Sequence, residues 1–159
     1  YLAVLDMPDV NSSNKRLVLL NSLIQLALLY QNQGNYDESM WYCQEFIKED
    51  ATYREPYLVM AEMYNDMKMY TLAEGCISAA RKYATHKYNW VEMSTSWLGW
   101  IDSLSSIVNY NLGNIDTAII EIQKALKHAP NDVILLKNYN TYLQEKIKQN
   151  NLKLESKVD

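Results

Sequence analysis

Apolar residues along this chain recur mostly at intervals of three and four, the spacing of an amphipathic helix. From Asn14 to Gln33 they fall at Leu17, Leu20, Leu23/Ile24, Ala27/Leu28 and Tyr30, which predicts a helix there, capped by Ser12 or Ser13. A turn at Gly34 follows, and the spacing predicts a second helix from Tyr36, with Asn35 and Glu38 as its capping box. A third is expected from about Arg54, where Pro56 falls in a first turn that does not need its missing N–H. Between Trp90 and Asn111 the large apolar residues are Trp90, Met93, Trp97, Trp100/Ile101, Leu104 and Ile107/Val108, which predicts one extended helix. Pro130-Asn131-Asp132 ends one helix and caps the next, predicted over 132–149, with residues 150–159 as a polar tail.

The pattern also repeats at a larger interval. The stretches GNYDESMWYCQEF from Gly34, KMYTLAEGCISAA from Lys68 and GNIDTAIIEIQKA from Gly113 align. Gly34 matches Lys68, Tyr36 matches Tyr70, Ser39 matches Ala73, Cys43 matches Ile77 and Phe46 matches Ala80, all 34 residues apart. Upstream, Ala27 matches Ala61 and Tyr30 matches Tyr64. Small residues suit close helix crossings, large ones fill the wedge between units, and Gly34 suits a tight turn. Lys68 departs from this, so its turn must either avoid positive φ or tolerate strain. The third copy is offset by 45 residues, eleven more than the first interval, and Ala73/Ala118, Ile77/Ile122 and Ala80/Ala125 keep that offset. Eleven residues are about three helical turns, so an insertion of that length keeps the faces in phase.

With these residues the sequence resembles the tetratricopeptide repeat family, whose helix-turn-helix unit buries its apolar face only by stacking on neighbours. The resemblance implies an all-α, antiparallel helical solenoid of about seven helices. Its units would be about 20–53, 54–87 and 88–131, with a capping helix at 132–149. Residues 1–13, apolar but broken by Pro8, read as a linker or the end of an upstream domain, and the start at Tyr1 suggests a piece of a longer chain. The family also implies an inner groove lined by first helices. The corresponding positions are Asn21, Ile24, Leu28 and Gln31 in the first unit, Glu55, Leu58, Glu62, Asn65 and Asp66 in the second, and Trp100, Ser103, Ile107 and Tyr110 in the third. Such a groove would take a protein or peptide; the plain alternative is a solvated charged face. Some members clamp the C-terminal carboxylate of chaperones with Lys, Asn and Arg at inner positions. The basic residues are missing here, so that ligand is not expected.

A narrower resemblance covers about Asn14 to Leu143. Arg54, Glu55, Pro56, Trp97, Asp102, Leu112, Gly113, Ala118, Ala125, Pro130, Asp132 and Asn138 match the helical region that follows the catalytic domain in family 2 glycosyltransferases. That resemblance implies a non-catalytic accessory region joined to a catalytic domain. No nucleotide-sugar domain or D-x-D motif lies in these residues. A free-standing peptide adaptor and a self-associating homodimer through the Trp helix are the alternatives.

Composition narrows the function further. The 48% apolar content is enough for a core, and the net charge of -4, with scattered lysines, argues against a nucleic-acid surface. The longest apolar runs, Leu17 to Leu20 and Val133 to Leu136, are too short to span a bilayer. Cys43 and Cys76 are the only cysteines, and with His86 and His128 they make no disulfide framework or zinc set; two buried thiols in a cytoplasmic setting are expected. No phosphate loop, metal-ligand motif or nucleophile elbow is present, so no catalytic residue and no cofactor is expected.

Overall fold

The computed structural model describes residues 12–83 and 96–155, which hold seven helices and no strand. They are α1 (Ser12–Asn32), α2 (Tyr36–Glu49), α3 (Glu55–Asp66), α4 (Tyr70–Lys82), α5 (Ser96–Asn111), α6 (Ile115–His128) and α7 (Val133–Glu155). The chain divides into two compact units, Tyr1–Val91 with α1 to α4 and Glu92–Asp159 with α5 to α7.

The three repeat turns have one backbone design. After α1, Gly34 N–H donates to Gln31 O (2.9 Å) and Asn35 N–H to Tyr30 O (2.9 Å). After α3, Lys68 N–H donates to Asn65 O (2.9 Å) and Met69 N–H to Tyr64 O (2.8 Å). After α5, Gly113 N–H donates to Tyr110 O (3.0 Å) and Asn114 N–H to Asn109 O (2.8 Å). This nested pair satisfies helix-end carbonyls and requires the central residue to be left-handed. Gly34 (φ 76°) and Gly113 (φ 81°) meet that requirement freely, and Lys68 meets it at φ 60°. The second turn therefore tolerates the strain rather than avoiding it.

In the first unit α1 packs on α2, α3 on α4, and α3 also against α1 and α2. Leu20, Leu23, Ile24 and Ala27 of α1 meet Cys43 and Phe46 of α2 and Val59 and Met63 of α3. Phe46 and Tyr53 lie edge to face at 5.6 Å between ring centres. Ser39, the small residue of the second helix, is fully buried, and its hydroxyl donates to Ala27 O at 2.7 Å across the crossing. In the second unit α6 packs on both α5 and α7, burying Ala118, Ile122 and Ala125 against Leu135 and Tyr142. Residues aligned by the repeat (Cys43, Ile77, Ile122; Phe46, Ala80, Ala125) are all buried.

Several local expectations change. Asn35 makes no side-chain cap bond, so the expected capping box is absent and the three-residue turn itself sets the start of α2. Pro56 lies in the first turn of α3, and Asp132 Oδ1 accepts the N–H groups of Ile134 (2.8 Å) and Leu135 (3.0 Å), capping α7 as expected. Helix α7 continues to Glu155, past the expected end at Gln149, because residues 150–155 contain no glycine or proline to stop it. The polar tail is helical that far. Of the extended helix expected over 90–111, residues 96–111 are helical; Trp90, the side chain of Trp97, His86 and residues 1–11 lie outside the described residues, as do the capping side chains of Ser12 and Ser13.

Candidate functional site

Helices α1 and α3 lie side by side, and two hydrogen bonds, one from the C-terminal end of α1 and one from the start of α2, tie the first repeat to the C-terminal half of α3. Gln31 Nε2 donates to Glu62 Oε2 at 3.0 Å. The Tyr36 hydroxyl donates to Asp66 Oδ2 at 3.2 Å. That bond, with some burial and the nearby carboxylate charge, pushes the Tyr36 phenol above its ordinary value. Asn21, Leu28, Gln31, Glu62 and Asn65 are half-buried and Asp66 is exposed, so these six expected groove residues reach the surface. Glu62 and Asp66, one turn apart, make the strip acidic.

Ile24, Glu55 and Leu58 do not reach it. Ile24 is core, Leu58 is fully buried, and Glu55 is 1% exposed with its Oε1 3.7 Å from Arg54 Nε. Glu55, Leu58 and Glu62, which the resemblance puts in the groove, are spaced by three and four and share one side of α3. The start of that helix is enclosed, with Arg54, Glu55, Pro56, Leu58 and Val59 all buried, and only its second half is open. For Glu55 the structure assigns a structural ion pair in place of a groove position.

In the second unit Trp100, Ser103, Ile107 and Tyr110 are all half-buried. Tyr110 is taken up by packing, stacked on Tyr142 of α7 at 4.6 Å and 23°. Burial raises the Tyr142 phenol, opposed by a hydrogen bond with Ser106. Trp100 and Ser103 instead open into a cleft of about 490 Å³, completed by Gly99, Ala125, His128, Ala129, Asp132 and Leu135. His128, Ala129 and Asp132 were not among the expected site residues. One available signal was Gly99, a glycine inside a helix: a Cβ there would stand 3.3 Å from His128 Cβ, so the glycine allows α6 to approach.

Among the described residues no group of three or more His, Cys, Asp or Glu could hold a metal ion, and no helix is long and apolar enough to cross a membrane. Cys43 is buried, with its thiol pushed up to about 12, first by desolvation and then by Cys76. Such a thiol is a poor nucleophile.

Paired helices, a shared turn design at repeat spacing and an acidic interhelical strip define an all-α helical-repeat protein. Residues 20–53 match the family model for the tetratricopeptide repeat. The first tetratricopeptide domain of human RPAP3 is similar in structure, with a TM-score of 0.69, 17% identity, and coverage of 84% of this chain and 96% of that one. The first tetratricopeptide domain of Spaghetti (RPAP3), bound to the HSP90 peptide SRMEEVD, gives 0.67 at 19% identity, covering 89% and 99%. The second such domain of human RPAP3, in complex with the HSP70 peptide SGPTIEEVD, gives 0.65 at 13% identity, covering 80% and 97%. These likenesses establish a tetratricopeptide-like fold. No curated protein matches the chain. The narrower likeness to glycosyltransferase tails finds no support in these comparisons.

Proposed function

We propose that this chain is a protein-interaction module that takes a peptide along the α1–α3 strip, and that it prefers a basic or neutral peptide to an acidic one. The observation that carries this is the pair of carboxylates, Glu62 and Asp66, held toward one surface by Gln31 and Tyr36. Two proteins of the same fold hold peptides ending in EEVD. At the expected inner positions this chain has Asn21, Leu28, Gln31, Glu62, Asn65 and Asp66, with no lysine or arginine to meet a carboxylate. Like-charge juxtaposition would reject an acidic ligand, whereas Leu28 and the carboxylates suit alternating apolar and basic side chains.

The test is a titration of fluorescent peptides, one alternating Leu and Lys and one ending in EEVD. The basic peptide should bind, more weakly as salt rises. The double substitution Glu62→Lys, Asp66→Lys should remove that binding and leave the fold intact. Preference for the acidic peptide would overturn the proposal. The accessory-domain reading adds that the module is joined to a glycosyltransferase. It is carried by Arg54, Glu55, Pro56 and the eleven-residue insertion, and tested by the reading frame before Tyr1: a nucleotide-sugar domain supports it, further helical repeats remove it.

A further inference from the structure

The second unit carries a cleft with a chemical character of its own. Its less polar lining is Gly99, Trp100, Ala129 and Leu135, with the fully buried Ala125 behind them. Its polar lining residues are Ser103, His128 and Asp132. At about 490 Å³ it lies in the range of sites that enclose a small ligand or a few peptide side-chain groups. Among the described residues no lysine or arginine lines it.

Asp132 gives the cleft its sign. Its Oδ1 is fixed by two backbone N–H donors of α7, which sets the direction of the carboxylate. A purely apolar occupant would strip water from that charge without replacing it, and an anionic occupant would be repelled. A cation on an apolar stem satisfies both halves, because the stem covers Trp100 and Ala129 beside Leu135 while the head reaches the carboxylate. Among such groups a guanidinium adds planar stacking on an indole and paired donors for a carboxylate, which an ammonium lacks.

We propose that this cleft is a recognition site for an arginine side chain of a protein or peptide partner, with Trp100 as the stacking surface and Asp132 as the counter-charge. It does not rest on the α1–α3 strip: none of its residues belongs to the first unit.

The experiment uses the whole chain, isotopically labelled, and three blocked tripeptides, Gly-Arg-Gly, Gly-citrulline-Gly and Gly-Leu-Gly. Citrulline keeps the shape of arginine and removes the charge. The arginine peptide should shift the Gly99 amide and the Trp100 indole N–H, and bind about threefold to fivefold tighter than the citrulline peptide, as expected for a charge pair whose carboxylate is exposed. Asp132→Asn keeps the helix cap, since asparagine caps as well as aspartate. It should abolish the difference between the two peptides. Trp100→Leu should weaken both, and Glu62→Lys should change neither. Equal binding of arginine and citrulline peptides would overturn the proposal. So would shifts confined to the first unit, or an arginine preference unchanged in Asp132→Asn.

Discussion

Lys68 occupies a turn position where the other two repeats have glycine, so replacing it should stabilise the protein. Its φ of 60° places an L-residue in the left-handed region, at a cost of roughly 1–2 kcal/mol. The side chain is exposed, so its removal forfeits little packing. Glycine gives back part of the gain through its freedom in the unfolded chain, about 0.5–1 kcal/mol. Lys68→Gly should therefore raise stability by about 0.5–1 kcal/mol. For a chain of this length that is about 1–4 °C in Tm. The reciprocal changes sharpen the test. A Cβ at Gly34 or Gly113 would meet nothing within 4 Å, so Gly34→Ala and Gly113→Ala isolate the backbone term without a clash. Each should lower stability by about the amount Lys68→Gly raises it, because the same two energies enter with reversed sign. The assay is thermal unfolding followed by circular dichroism at 222 nm, with urea midpoints at constant m-value as a second measure. A fall in Tm for Lys68→Gly would refute the reasoning. So would no change at Lys68 combined with a clear loss at Gly34, since the two turns share their hydrogen bonds.

The buried pair Arg54 and Glu55 should behave as one unit: Arg54→Ala leaves a carboxylate in the core and should cost about 3–5 kcal/mol in urea denaturation, whereas a loss below about 1 kcal/mol would show that the pair is not structural. Native protein treated with a thiol reagent at pH 8 should label at Cys76, half-buried, and at Cys43 only after unfolding; equal labelling would contradict the burial of Cys43. Cys43 also sets an alkaline limit. Its thiol rises from 9.0 to about 12, so the stability gained by keeping it protonated is complete below pH 9 and lost as pH climbs toward 12. Urea midpoints measured from pH 8 to 11 should fall, and Cys43→Ala should flatten that slope whatever it does at neutral pH.

The sequence reading and the structure agree most closely where one residue type has one physical reason. Ser39, Ala73 and Ala118 recur at repeat spacing because a second helix crosses too near for anything larger, and all three are fully buried. Gly34 and Gly113 recur because a left-handed turn needs them, while Lys68 leaves two backbones open in the sequence and its φ of 60° decides between them. Agreement weakens where depth matters as well as direction. A helical wheel gives Glu55 and Glu62 the same azimuth, but Glu55 sits in the enclosed first turn of α3 and Glu62 in its open second half. The end of α7 was illegible because no residue after Gln149 forbids a helix, and polarity alone does not end one.

The arginine cleft was hidden for a different reason. Its residues come from α5, α6 and the cap of α7, and each has an ordinary local explanation. His128 suits a helix C-terminus, Asp132 suits an N-cap, and Trp100 suits an apolar stripe. Only their assembly around Gly99 makes a site, and that depends on how closely α6 approaches α5. The same glycine supplies a check on the assembly itself. Gly99→Ala adds a methyl group 3.3 Å from His128 Cβ, so the helices must give by a few tenths of an ångström. If the cleft acts as a unit, that shift should weaken the arginine tripeptide while leaving the basic peptide on the α1–α3 strip unaffected. Loss of both would mean that the two sites report one global change in the fold.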